Sequence, residues 1–127
     1  MPAERGRARP GAQPRLDAPA LLLVDLQNGD AHPASAYVAR RRARDGDAAA
    51  ERYLGRLRDE VIPNARRLRA AFRQLERPVI FVRIQSLTPD GRERSPDHVR
   101  RGIHFPPGSW DGAIIDDLAP AVLGVDG

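Results

Sequence analysis

Asp25 is the residue of this 127-residue chain best placed to do chemistry. It closes the apolar run Leu21-Leu22-Leu23-Val24 and is followed by Leu26-Gln27-Asn28-Gly29. A short apolar run between Pro19 and the turn residues Asn28-Gly29 predicts a strand at about 20–25, buried on both faces. The C-terminal end of such a strand is where open α/β sheets place their ligand crevice. A carboxylate there can accept a proton as a general base. It can equally cap a turn on nearby N–H groups. Gln27 and Asn28 follow closely enough to orient the acid or a substrate, or simply to form the turn.

Other chemistry is removed by composition. All 21 basic residues are Arg, and there is no Cys. These 127 residues therefore hold no thiol nucleophile, thiolate metal ligand or disulfide. They also hold no amine for Schiff-base chemistry and no ammonium partner for a carboxylate. His32, His98 and His104 are scattered without ligand spacing, so neither a metal nor another cofactor is expected.

Asp25 needs a second strand beside it to form a crevice. Leu54, Leu57, Val61, Leu68, Phe72 and Leu75 recur at three- and four-residue steps, the pattern of helices with one buried face. Pro63 lacks a backbone donor and clashes with the preceding turn. Two helices meeting near Ile62, with Pro63 in the first turn of the second, are predicted. Arg77-Pro78 ends the second, and the β-branched run Val79–Ile84 predicts the next strand. Strand, helix and strand make a βαβ unit, with parallel strands and a right-handed crossover. Asp25 then lies near Arg83, Gln85 and Ser86.

The remaining segments are less periodic. Residues 26–36 read as a loop, and 37–50 as a short exposed helix or ordered loop interrupted by Asp45-Gly46-Asp47. The polar, turn-rich stretch 86–108 is long enough to be a functional loop. Ser109 is expected to cap a short helix carrying Ile114, Ile115 and Leu118, stopped by Pro120, with a third strand beginning in 121–127.

A 41% hydrophobic and 30% charged composition is that of a globular chain, and the length allows one domain, at 18–127. Residues 1–17, rich in Pro, Gly, Ala and Arg, are expected to be a disordered basic arm. The net charge of +4 is spread among interspersed acids and does not by itself imply nucleic acid. Arg40, Arg41, Arg42 and Arg44 are the best phosphate-contacting candidates, but they lack interleaved aromatics for base stacking. A solvated face or an oligomer contact is the other reading. No apolar run approaches the roughly 20 residues needed to cross a bilayer. No apolar h-region precedes Asp17. A cytoplasmic location is expected.

Four stretches, in order, resemble the isochorismatase-like cysteine hydrolases. They are Leu22-Leu23-Val24-Asp25-Leu26-Gln27-Asn28, Val61–Leu68, Val79–Ser86 with Asp90–Ser95 behind it, and Gly102–Trp110 followed by Asp116-Asp117-Leu118-Ala119-Pro120. The last two look most like the branch of biuret and ureidoacrylate amidohydrolases. The resemblance implies a three-layer, doubly wound α/β fold of the Rossmann-like kind with a mostly parallel sheet. It implies hydrolysis of a small amide at its C–N bond by an Asp, a Lys and a nucleophilic Cys, in an oligomeric enzyme. Asp25 matches the acid. Gln27, Arg83 and Gln85 become candidates to bind a ureido or carboxylate group, although Arg83 can also face solvent or pair with Asp90. The family's Lys and Cys have no counterpart here, so the expectation is the N-terminal part of the domain, incomplete at its C-terminus and inactive alone. The zinc-binding branch uses an Asp-x-His pair after its second strand, and the corresponding Ser86–Arg92 loop has none.

A different class remains open. The chain can be a truncated, non-catalytic module that binds a partner or an acidic polymer through its Arg-rich surface. A third reading, with Asp25 as a phosphoacceptor, is opposed by the missing Lys and the lack of a neighbouring acidic pair.

Overall fold

The two predicted strands pair in parallel. In the computed structural model, which describes residues 17–119, β1 (Leu21–Val24) lies beside β2 (Val79–Val82). The register is Leu21 with Val79, Leu22 with Ile80, Leu23 with Phe81 and Val24 with Val82. Backbone bonds from Leu21 N–H to Pro78 O and from Asp25 N–H to Val82 O, each 2.9 Å, extend the ladder at both ends. Residues 1–16 and 120–127 are outside the described residues, and with them most of the basic arm, Pro120 and the expected third strand.

Helices α1 (Asn28–Ala31), α2 (Ala36–Asp45), α3 (Asp47–Arg56) and α4 (Ile62–Gln74) fill the crossover, and α5 (Pro96–Arg100) lies in the long loop after β2. The stretch at 37–50 is thus helical. Ser35 caps α2, its Oγ accepting from Val38 N–H at 3.2 Å. Gly46, at φ 88°, separates α2 from α3 in a conformation that an L side chain rarely adopts. The expected loop at 26–36 contains a helical turn, α1.

The junction falls near Ile62 as predicted, with Pro63 in the first turn of α4, and its form is a π turn. Residues Leu57–Val61 form a π-helical turn that joins α3 to α4 without leaving the right-handed helical region. Ile62 N–H donates to Leu57 O, five residues back. A wider turn gives the Pro63 ring room where a normal turn would collide with the carbonyl four residues earlier. The chain absorbs the proline as a bulge rather than a break.

One face of the sheet carries the core. Leu23 and Val79 point to Leu57, Ala65, Ile114, Ile115 and Leu118, with Ile62, Phe72 and Phe81 packed around them. Each large aliphatic side chain fully buried there contributes about 1.5–3 kcal/mol. The opposite face is bare: Leu22, Val24, Ile80 and Val82 are 55%, 52%, 45% and 39% exposed. The expectation of a strand buried on both faces is therefore corrected. The described helices cover a single face, so the continuous apolar run is buried only at alternate positions, Leu23 and Val79 among them. The architecture is α/β with a parallel pair of strands; one helical layer is present among the described residues.

The expected helix at 109–119 is also corrected. Ser109 Oγ does accept from Gly112 N–H, but the chain turns instead of coiling. Its backbone is drawn onto the segment after β1. Ile114 forms an antiparallel bridge with Gln27, and Ile115 N–H donates to Leu26 O at 3.1 Å. Asn28 and Gly29 N–H donate to Ala113 O and Asp111 O, both at 2.9 Å. Ile114, Ile115 and Leu118 reach the core by this route, without helical spacing. No described helix is long and apolar enough to cross a membrane.

Candidate functional site

The end of β1 is built by a change of backbone hand. Asp25 has φ 56°, the left-handed region that few non-glycine residues occupy and that Asp tolerates better than most. Its N–H is still held by Val82 O. The ladder therefore ends at this residue, and the chain turns away into α1 with the half-buried carboxylate at the C-terminal edge of the sheet. Since Val24 faces Val82, the next residues, Asp25 and Arg83, are neighbours across the strand ends.

Gln27 is buried completely and works as a clamp. Its Nε2 donates to Ile84 O at 2.8 Å and to Gly112 O at 3.2 Å, and its Oε1 accepts from Ile84 N–H at 2.7 Å. One amide thus replaces the ladder bonds that β2 would otherwise make beyond Val82, and it fastens the 110–115 segment to both strands. Asn28 performs a similar task, with Nδ2 donating to Trp110 O at 3.0 Å. Phe105 closes the arrangement by lying against Gly29, so close that a Cβ there would stand 2.5 Å from two of its ring carbons.

The other candidates are more exposed. Arg83 donates from one terminal nitrogen to Gly112 O at 3.1 Å, the carbonyl that Gln27 also uses. Gln85, itself exposed, lines a cleft of about 240 Å3 with Ser86, Arg94, His98 and Phe105. Asp25 does not line that cleft. The structure therefore places Arg83, like Asp25, one residue past the paired strands with its guanidinium on Gly112 O, commits the Gln27 amide to backbone groups and gives Gln85 a separate wall. Asp90 lies within hydrogen-bonding distance of the Thr88 hydroxyl, 2.7 Å away, which it shares with Glu93.

Three residues that sequence reasoning did not single out share the electrostatics of this edge. Asp30, in α1, is half-buried, and burial pushes its carboxyl above the ordinary range. The charge of Asp25 adds to the rise, Arg40 and Arg101 oppose it, and Asp111 adds a smaller push. Asp30 lies in the same motif as Asp25 and was legible as a nearby acid. Arg101 and Asp111 come from distant loops, and only the fold brings them in. Among the described residues no three His, Asp or Glu side chains are grouped to hold a metal ion. The His32 ring meets Trp110 edge-on at 4.8 Å, and His104 Nε2 is buried without a hydrogen-bond partner.

A family model described as the isochorismatase domain matches residues 19–125. The match takes in both strands, all the helices and the 110–115 segment that Gln27 fastens down. No curated protein and no solved structure matches the chain significantly.

Proposed function

Because this chain belongs to the isochorismatase domain family, we propose that it carries the acid of a hydrolase that cleaves the C–N bond of a small amide, and that Asp25 is that acid. The observation that carries the reading is the left-handed turn at Asp25, which ends the β1 ladder and leaves a carboxylate at the sheet's C-terminal edge. A residue held in a sparsely populated backbone region at such an edge is a recurrent mark of a functional position.

In this reading Asp25 takes the proton of a cysteine thiol, and the thiolate attacks the substrate carbonyl. The proton passes to the leaving nitrogen as the C–N bond breaks, and water then hydrolyses the thioester. An ammonium side chain would hold the carboxylate charged. These 127 residues contain neither a thiol nor an amine side chain, so in this reading both groups come from outside them. Arg83, next to Asp25 in register, is the substrate-binding candidate best supported, with donors left over after its bond to Gly112. Gln85 extends the same role along the neighbouring cleft. Gln27, its amide already committed, serves as a positioning residue that holds the strand ends together. The second helical layer of a three-layer fold would cover Leu22, Val24, Ile80 and Val82.

The test has two parts. The reading frame after codon 127 is expected to encode a Lys and then a Cys. In protein that contains both, Asp25→Asn should lower ammonia release from biuret or ureidoacrylate by about 10²–10⁴-fold, the usual contribution of a general base. Turnover by the purified 127-residue chain alone, or undiminished turnover after Asp25→Asn, refutes the reading.

A further inference from the structure

The arginine cluster of α2 has a destination that the hydrolase reading does not use. Arg42 turns to Asp47 at 2.9 Å and Glu51 at 2.7 Å, on the α3 side. Arg40, Arg41 and Arg44 instead line a cavity of about 320 Å3, and Arg101, just past α5, lines it from the far loop. Four arginines from two unconnected elements line it together with one acidic residue, Asp30, on whose carboxyl Arg40 and Arg101 act. The volume is within the range of small-molecule sites. The remaining wall is Tyr37, Ile103 and the buried Phe105, so the cavity joins a cationic rim to an apolar floor.

The rim is only partly neutralised. Arg44 is doubly bonded to Asp45 at 2.8 Å, and Arg101 holds Asp97 at 3.3 Å. Arg41 donates to Tyr37 Oη at 3.2 Å and lies over the Tyr53 ring at 5.2 Å. Its Nε is nevertheless buried without an acceptor. A buried charged donor left unpaired is unfavourable unless something supplies the acceptor. Planar guanidinium groups match the paired oxygens of a carboxylate or a phosphate.

We infer that the cavity between α2 and the 101–105 loop binds a small organic oxyanion, a carboxylate or phosphate group on an apolar body, held by Arg40, Arg41 and Arg101 over Ile103 and Phe105. The site goes beyond the proposed hydrolysis, and Asp25 is not among the residues that line it. The apolar floor separates this site from a diffuse basic surface, which attracts every anion alike through charge alone.

The test is calorimetric titration of the full 127-residue chain with phenyl phosphate, benzoate and inorganic phosphate at constant ionic strength. Saturable binding of phenyl phosphate or benzoate is expected, and the tighter of the two identifies the headgroup. Inorganic phosphate should bind several-fold more weakly for want of a body to cover Phe105. Arg40→Gln and Arg101→Gln should each weaken binding about tenfold or more, since each removes charge-assisted hydrogen bonds. Arg52→Gln, an exposed site with the same loss of charge, should leave it unchanged. Circular dichroism of each variant establishes that the fold persists. No saturable binding of either aromatic anion, inorganic phosphate binding as tightly as phenyl phosphate, or equal weakening in all three variants overturns the inference.

Discussion

Replacing Gln27 by Leu tests whether one buried amide holds the two strand ends together. The substitution nearly preserves volume but removes every polar contact of the side chain. Ile84 loses the acceptor of its N–H and the donor to its carbonyl. Gly112 O keeps its bond from Arg83 and is less affected. Each buried group left unpaired is destabilising by about 1–3 kcal/mol, so the two at Ile84 together amount to about 2–6 kcal/mol. An apolar side chain gains about 1–2 kcal/mol by occupying the same buried volume. The central values, about 4 and about 1.5 kcal/mol, leave a net loss of about 2.5 kcal/mol, a large share of the roughly 5–15 kcal/mol that stabilises a domain. In urea, with a slope of about 1–3 kcal/mol per molar, the unfolding midpoint should fall by about 1–2 M. Native-state hydrogen exchange gives the local readout. The Ile84 amide should lose protection by at least tenfold, and more than the Asp25 amide, which is held by Val82 O. A midpoint shift below about 0.3 M with Ile84 still protected would refute the clamp and show that the strand ends are held by packing alone.

Gly29→Ala should be destabilising by about 1–3 kcal/mol, because the new methyl would press on the Phe105 ring and lie 3.1 Å from Asp111 O; Phe105→Leu in the same background should recover part of the loss in a melting experiment. The Glu93 carboxyl is held down to about 2 by the Thr88 hydroxyl, with further bonds from the Leu87 and Thr88 N–H groups. Its folded value is depressed, so the stabilisation it gives the 87–93 loop is complete above the ordinary value of 4.5 and is lost as pH falls toward about 2. A nuclear magnetic resonance titration of the Thr88 amide should follow that window, and Glu93→Gln should flatten it. Burial, with Tyr37 and Asp30 nearby, pushes the Tyr53 hydroxyl up to about 12. Ultraviolet titration should therefore show a late-ionising component that Tyr53→Phe removes, and stability should decline as pH rises from about 10 toward 12.

Much of the fold was legible because it rests on local pattern. Val79-Ile80-Phe81-Val82 and Leu21-Leu22-Leu23-Val24 read as strands from short, apolar, bounded runs, and their parallel pairing follows from the helices between them. Gly46 marked a boundary through its own backbone freedom. Ile114, Ile115 and Leu118 showed the limit of this reading. They were read as the apolar residues of a short helix, where the chain only turns and still brings them into the core. What holds that segment is a set of bonds to Leu26, Gln27, Asn28 and Gly29, far earlier in the chain, and no local periodicity records them.

The candidate site divides in the same way. Residue type and position at a strand end made Asp25 visible from the chain alone, since both are properties of one short segment. That Gln27 is a clamp, that Arg83 bonds Gly112 O, and that Arg40 and Arg101 share a cavity were decided only by the tertiary structure. The physical reason is distance along the chain. Hydrogen bonds and fields act through space between groups that sequence separates, and a side chain's partner is known only once the crossover has closed and α4 has settled on the strands.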